Sequence, residues 1–300
     1  MKIVYERPVS LAALWARRIG RFSAGLLLVT GLAHWAHAVE TPEMIALALL
    51  SAGLAALAAI LALTGFVRLW QVAAVGGVAA FVGLVYALIP LSVVGYGLFR
   101  FMDRPALIEV TTDATEPPPW IAPPAARQGW LPHAPVPDQA ARQAEAYPAL
   151  TGRRYDGALD RVFAGVKTVA AASGLAITAE RGTENAESDL EDAPAQPQAG
   201  PPADADIGNV PIPSARPEPL AQTLMPGQRA SDILLQGEWR SFMAAIPFDV
   251  AIRLREEAET TFVDIRVSVR YGPHDLGFAA AFAEHFLRAL DAELLGIAGG

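Results

Sequence analysis

The chain of 300 residues contains no cysteine. That excludes a disulfide framework, a thiolate metal site and a thiol nucleophile. Positive charge is also scarce: the net charge is −8, and no basic patch with interleaved aromatics occurs. Phosphate binding needs clustered cations, so nucleic acid is not an expected partner. No Walker or dinucleotide glycine pattern is present, and no nucleotide cofactor is expected. What the sequence does have is a division. Residues 1–104 hold eight Lys/Arg against four Asp/Glu, while residues 105–300 hold fifteen against twenty-seven. The first part is basic and very apolar; the second is acidic and soluble in character.

Three apolar stretches dominate the first part, at about 22–39, 44–66 and 72–99. Each is near or above the roughly 18–20 residues that cross a bilayer. The second and third carry no charge, with Arg68 between them and Glu40 and Glu43 separating the first from the second. Five basic residues, Lys2, Arg7, Arg17, Arg18 and Arg21, lie before or at the start of the first stretch. The charge rule then puts the amino terminus in the cytoplasm, and three crossings put residues 105–300 outside it. Arg100 and Arg104 run against that rule, which a long following domain weakens. The expected location is the inner (cytoplasmic) membrane with a periplasmic carboxy-terminal domain. A cleavable leader ending at Ala36-His37-Ala38 is the alternative, disfavoured by its length and by the two stretches that follow.

His34 and His37 lie three apart and could bind a metal or relay protons; a place at the outer water interface beside Trp35 is the simpler reading. Ala73/Gly77 and Ala79/Gly83 are small-residue pairs that permit close helix packing. Pro90 is expected to kink the third span.

Beyond the spans, Ala106–Thr112 reads as a short strand. Pro117-Pro-Pro119 holds extended chain and Trp120 offers an anchor. Residues 121–150 read as irregular connector. Leu159, Val162, Phe163, Val166 and Val169 repeat at helical spacing, predicting a helix from Asp156, its cap, to Ser173, with Gly174 as the stop. Leu175–Arg181 alternates as a strand. Residues 182–228 are rich in Pro and Asp/Glu and poor in large apolar residues, so a disordered insert is expected. Within it Asp204-Ala-Asp206-Ile-Gly208 hints at a calcium loop, but the closing Glu is missing, and a solvated loop is favoured. Asp232–Met243 is strand-like, with a bulge at Gly237.

Two strands then alternate cleanly. Phe248, Val250, Ile252 and Leu254 share one face of Phe248–Arg255. Val263, Ile265, Val267, Val269 and Tyr271 share one face of Thr261–Tyr271. Joined through Glu256–Glu259 they form a hairpin in one of two registers, pairing either Asp249 with Arg266 or Arg253 with Asp264. Gly272-Pro273 ends the strand. Asp275 caps a last helix to Leu295, with Phe278, Phe282, Phe286, Leu290 and Leu294 recurring every four. The expected fold class is α+β: three transmembrane helices, then a two-layer domain whose antiparallel sheet is covered by two helices on one face.

Arg266-Val-Ser-Val-Arg270 followed by Gly272, Asp275 and Gly277 resembles the signature of the family called domain of unknown function 1499. The resemblance runs from about Ile108 to Leu290 around the acidic insert. Thr112-Asp113 before the prolines, and Tyr147-Pro148, fit the family pattern too. It departs after Gly277, where Phe278-Ala-Ala and Glu284 stand in place of the family's Asn and Arg. The resemblance carries no established activity.

The candidate binding face is polar: Asp249, Arg253, Asp264, Arg266, Ser268 and Arg270, with His274 and Asp275 at its end. Carboxylates flanked by Arg could hold a charged head group or do acid–base work. The same groups could be a solvated salt-bridge ladder contributing about 0.2–1 kcal/mol per pair, which is the favoured reading. Ser268, His274 and Asp264 are triad residue types, but a strand serine lacks the strained elbow of a nucleophile. No catalytic residue, metal site or cofactor is assigned. The expected function is a non-catalytic, membrane-anchored envelope module binding a lipid, polymer or protein partner. An envelope enzyme using the Asp/Arg face is the alternative.

Overall fold

The computed structural model describes residues 8–124, 126, 130–131, 133, 136–186, 229, 231–242, 244–257 and 260–296. Most of the acidic insert, including the Asp204–Gly208 motif, lies outside the described residues. Three long helices come first: α1 (Leu11–Trp35), α2 (Thr41–Val72) and α3 (Gly77–Asp103). They pack together through their smallest side chains. Ala13, Ala16, Ala55, Ala58, Ala62, Ala80 and Ala87 are fully buried, while Leu28, Leu32, Leu50, Ile60, Phe81 and Leu88 face outward. A bundle folding in water does the reverse, because its core must bury the large apolar residues. With apolar solvent outside, close backbone packing takes over. A Cβ on Gly20 would fall 2.6 Å from the carbonyl oxygen of Gly83, so α1 and α3 touch backbone to backbone.

Two of these helices, α2 and α3, are long and apolar enough to cross a membrane. The expected first span behaves differently, because the helix starts at Leu11 rather than Phe22 and takes in Arg17, Arg18 and Arg21. The second runs on past Arg68 to Val72, and the third begins at Gly77. Ala73 leaves the helix in a left-handed conformation, so Ala73 and Gly77 are not a helical pair, whereas Ala79 and Gly83 are buried on α3. Pro90 sits inside a continuous α3.

The rest is an antiparallel sheet: β1 (Glu109–Thr111), β2 (Arg153–Asp156), β3 (Ala176–Arg181), β4 (Ile233–Arg240), β5 (Pro247–Glu257) and β6 (Thr260–Val269). The order is β1-β6-β5-β4-β3, with β2 on the same edge of β6 as β1. Helices α5 (Leu159–Ala172) and α6 (Phe278–Leu294) supply Val162, Val166, Phe282, Phe286 and Leu290 to the core. The sheet answers with Phe248, Val250, Ile252, Val263, Ile265 and Val267. Trp239 stacks on Phe282 with ring centres 4.4 Å apart, closing that core at one end. Each fully buried Phe or Leu contributes about 1.5–3 kcal/mol.

Several local expectations change. Asp156 does not cap α5; it lies in β2, paired with Thr260, because the Arg153–Asp156 backbone completes the edge of β6. The connector contains a short helix, α4 (Gln139–Ala146), whose Gln143 side chain bonds both backbone groups of Thr111. Only a buried glutamine meeting a strand explains it, and composition does not report that. The irregularity near Gly237 falls on the partner strand, where Thr178 is the extra residue. Gly237 is needed for approach: a Cβ there would meet the oxygen of Ala176 at 2.6 Å.

The bundle and the sheet domain meet directly. Arg100 donates to the Leu276 carbonyl from Nε (3.0 Å) and Nη2 (2.6 Å) and lies 4.6 Å over the Phe278 ring. The His274 ring lies tilted against Phe101 with centres 4.8 Å apart, its Nε2 lies 3.1 Å from the Arg104 carbonyl, and its Nδ1 accepts from the Leu276 amide at 2.8 Å. The same Nδ1 lies 3.8 Å from Asp275 Oδ1. On the other side Tyr271 donates to Glu40 at 3.3 Å, and the His34 Nε2 lies 3.2 Å from the Ala245 carbonyl. The Arg100 side chain and the Arg104 backbone thus tie the end of α3 to the sheet domain.

Candidate functional site: a sealed charged layer and a cleft at the bundle end

Alternation in β5 and β6 sends Asp249, Arg253, Asp264, Arg266, Ser268 and Arg270 to the sheet face away from α5 and α6. The hairpin takes the register that pairs Arg253 with Asp264, leaving Asp249 opposite Ser268. Arg253 Nη2 lies 2.7 Å from Asp264 Oδ2. This face is not solvated. Arg253 and Asp264 are both 0% exposed, and Asp249 and Ser268 are buried.

The cover is residues 112–122, which leave β1 and cross the polar face as a strap. Thr112 Oγ1 donates to Asp264 Oδ1 and accepts from the Ile265 amide, both at 3.0 Å. Asp113 Oδ2 takes a second bond from Arg253 Nη2 at 3.0 Å, while its Oδ1 accepts the amides of Thr115 and Glu116. Glu116 meets Arg255 at 3.3 Å, and Arg255 also reaches Asp232 at 3.4 Å. Pro118 accepts from Arg266, Trp120 lies over the same guanidinium at 4.8 Å, and Ala122 exchanges two bonds with Gln236. Gly152 closes the remaining side, since a Cβ there would meet Asp264 Oδ1 at 2.6 Å.

Charges in this layer are matched one against another. Arg266 binds Glu109 at 2.7 Å; Arg270 binds Asp249 through two nitrogens and Glu238 at 2.8 Å; Arg240 binds Glu238 at 2.8 Å. Burial pushes the Asp264 carboxyl up against the pull of Arg253 and Thr112. Asp113 goes the other way: burial would raise it, but the amides of Glu116 and Thr115 and the Arg253 guanidinium outweigh that and hold it low. For Glu238 burial is likewise overcome by Arg270 and Arg240. Asp249, through its hydrogen bonds, keeps Arg270 firmly protonated.

The sequence-predicted residues thus divide. Asp249, Arg253, Asp264, Arg266 and Arg270 form one connected layer. Ser268 Oγ points at the Ile108 carbonyl, 3.4 Å away, and shares no bond with His274 or Asp264, so the triad types do not assemble. α6 starts at Phe278 with Gly277 as its N-cap, so Asp275 lies two residues before the expected place; its carboxylate still accepts from the amides of Gly277 (3.0 Å) and Ala279 (3.1 Å). Burial raises its carboxyl despite those amides. Alternation alone misses Glu109, Glu116, Asp232, Glu238 and Gln236, since they come from other strands and the strap. Among the described residues no group of three or more His, Asp or Glu is placed to hold a metal ion.

An open concavity lies elsewhere. A cleft of about 700 Å³ runs between the α1–α2 turn and the β3–β4 edge, lined by His37, Ser173, Ala176, Thr178, Glu238, Trp239, Arg240 and Phe242 among others. Its walls are mostly apolar, with the Glu238–Arg240 pair as its charged part. Nothing in the sequence announces it, because its lining comes from three separate stretches of the chain. No family model matches this chain, and no curated protein or solved structure matches it.

Proposed function

We propose that the protein is a membrane-anchored, non-catalytic module of the cell envelope that binds a bilayer lipid in the cleft at the foot of its α+β domain. In this reading all three long helices span the inner membrane, α1 included. Leu28, Val29, Leu32 and Trp35 of α1 are as exposed as the outward residues of α2 and α3, which is the arrangement lipid favours. The basic residues near the start of α1 put that end in the cytoplasm and the sheet domain outside it. Kinship with the domain of unknown function 1499 family, resting on Arg266–Gly277, belongs to the same proposal.

The cleft carries the reading. It opens beside His37 in the α1–α2 turn, which is the water-facing end of both helices if they span. Lipid is the ligand present there at the highest concentration, and the lining offers apolar wall for a chain with a Glu/Arg pair and hydroxyls for a head group. The charged layer is the weaker site, since strap and sheet already meet its charges. A second reading, an envelope enzyme, draws on the opposed protonation tendencies of Asp113 and Asp264 across one guanidinium. It requires the strap to lift.

Native mass spectrometry of the full chain released from mild detergent tests the lipid reading. Ala176→Trp fills the cleft from β3 and leaves the outer surface of the bundle unchanged. One lipid fewer on the variant is the expected result. Identical lipid counts on folded wild type and variant would refute it.

A further inference from the structure

We propose that the β4–β5 turn is a second membrane contact, dipping Phe242 into the lipid interface beside the helical bundle. Phe242 is 97% exposed, more than any other large apolar residue described. The turn that bears it is closed by hydrogen bonds. Ser241 and Ile246 exchange bonds across the turn at 3.0 and 3.1 Å, and the Ala245 amide donates to the Ser241 carbonyl at 2.8 Å. Ala245 adopts φ +50° to make this closure. A phenylalanine ring left in water gains nothing, whereas its transfer to an apolar phase is favourable.

Position names the occupant. The turn is tied to the last turn of α1 by His34, whose Nε2 lies 3.2 Å from the Ala245 carbonyl. Trp35, 72% exposed, stands next to that histidine, and Tyr271 meets Glu40 at the start of α2. Trp35, Tyr271 and Phe242 thus gather where the bundle ends, as aromatic residues do at a membrane–water boundary. The sequence Ser241-Phe-Met-Ala-Ala245 carries no charge that would oppose entry. Exposed Trp35 ends α1 beside this turn, and the partner is the bilayer itself, entered to a depth of about 5–10 Å. The inference rests on the membrane reading of the helices; because Phe242 also lines the cleft, the label at 242 is read in the Ala176→Trp background as well, where a cleft lipid is excluded.

Because the chain has no cysteine, a single one can be placed at will. The full chain carrying Phe242→Cys, Ile60→Cys or Glu257→Cys is labelled with an environment-sensitive fluorophore. Each is reconstituted in phosphatidylcholine–phosphatidylglycerol vesicles containing lipids spin-labelled near the glycerol or at mid-chain. Ile60 faces outward on α2, and Glu257 ends β5 at the opposite end of the sheet from Phe242. Lipid spin-labelled near the glycerol should quench the label at 242 several-fold more than the label at 257. Mid-chain spin label should quench most strongly at 60. A label at 242 that behaves like the one at 257, while 60 is quenched, overturns the inference and leaves the membrane reading standing. Emission at 242 that is blue-shifted yet unquenched overturns it in favour of a protein partner or second copy. A label at 60 that no lipid quenches removes the membrane reading and this inference together.

Discussion

Replacing Arg253 by Met tests whether the charged layer is sealed. The guanidinium is fully buried and bonded to both Asp113 and Asp264. Without it, Asp264 is left in a site with Thr112 as its one remaining side-chain donor and Gly152 packed against it. Breaking a buried pair by removing one partner costs about 3–5 kcal/mol, because the other charge stays uncompensated. An exposed ladder would lose no more than about 1 kcal/mol. Hydrogen exchange on β5 and β6 peptides of the full chain in detergent reads the difference. The expected loss of protection is roughly two to four orders of magnitude. The pH dependence has a definite sign. Asp264 already lies above the ordinary carboxylate value of 3.8, and losing Arg253 raises it further. A raised carboxyl contributes stability below its unfolded value and loses it as pH rises through the folded one. The defect of the variant should therefore be larger at neutral pH than near pH 4, with both values far enough apart to bracket the shift. Adding Asp264→Asn should recover much of the loss, since the stranded charge goes with it. A deficit under about 1 kcal/mol, equal at both pH values, would show that water reaches the layer and refute the reasoning.

Arg100→Ala removes a doubly bonded cation from the Leu276 carbonyl, and exchange at residues 274–279 should accelerate by about tenfold or more; unchanged exchange would mean that the junction is held elsewhere. Gly83→Leu forces a side chain into the backbone of Ala16, so the variant should lose the compact bundle by intramolecular distance measurement. The lowered Glu238 contributes stability above its unfolded value near 4.5 and loses it as pH falls, so Glu238→Gln should flatten acid unfolding between about pH 5 and 3. A steeper acid transition in that variant would contradict the pairing with Arg270. A periplasmic reporter fused after Pro105 should be active and one fused at Arg68 inactive; the reverse would invert the proposed topology.

Much of the α+β fold is legible because periodicity reports burial. Val263 to Val269 alternate with one face on the core, and α6 repeats every four, so strand, helix and their packing follow. The Arg253/Asp264 register is one of the two that charge complementarity allows. What alternation cannot report is a second cover. Asp249, Arg253 and Asp264 look like solvent-facing residues, since only the strap from Thr112 to Ala122 makes them interior. That strap follows a proline run with no period of its own. β2 is hidden for a related reason: Arg153–Asp156 has a single apolar side chain, Tyr155, and its pairing with β6 shows only as backbone bonds and the contact of Arg154 with Phe262. The cleft is hidden altogether, being a property of how the α1–α2 turn and the β3–β4 edge lie together.

The junction at the top of α3 has a mechanical consequence. From Asp103 to Glu109 the chain has no slack: Arg104 is already engaged by His274, and Leu107 already accepts from the Asp275 amide. A domain on a flexible tether reports only whether something is nearby, since its tether absorbs rotation. Here α3 acts as a shaft, with Arg100 keyed into the start of α6 and the His34 and Glu40 contacts bracing the far side. A tilt or twist of the bundle would reach the sheet as torque. The movable parts at the receiving end would be the cleft mouth and the strap edge, because neither belongs to the apolar core.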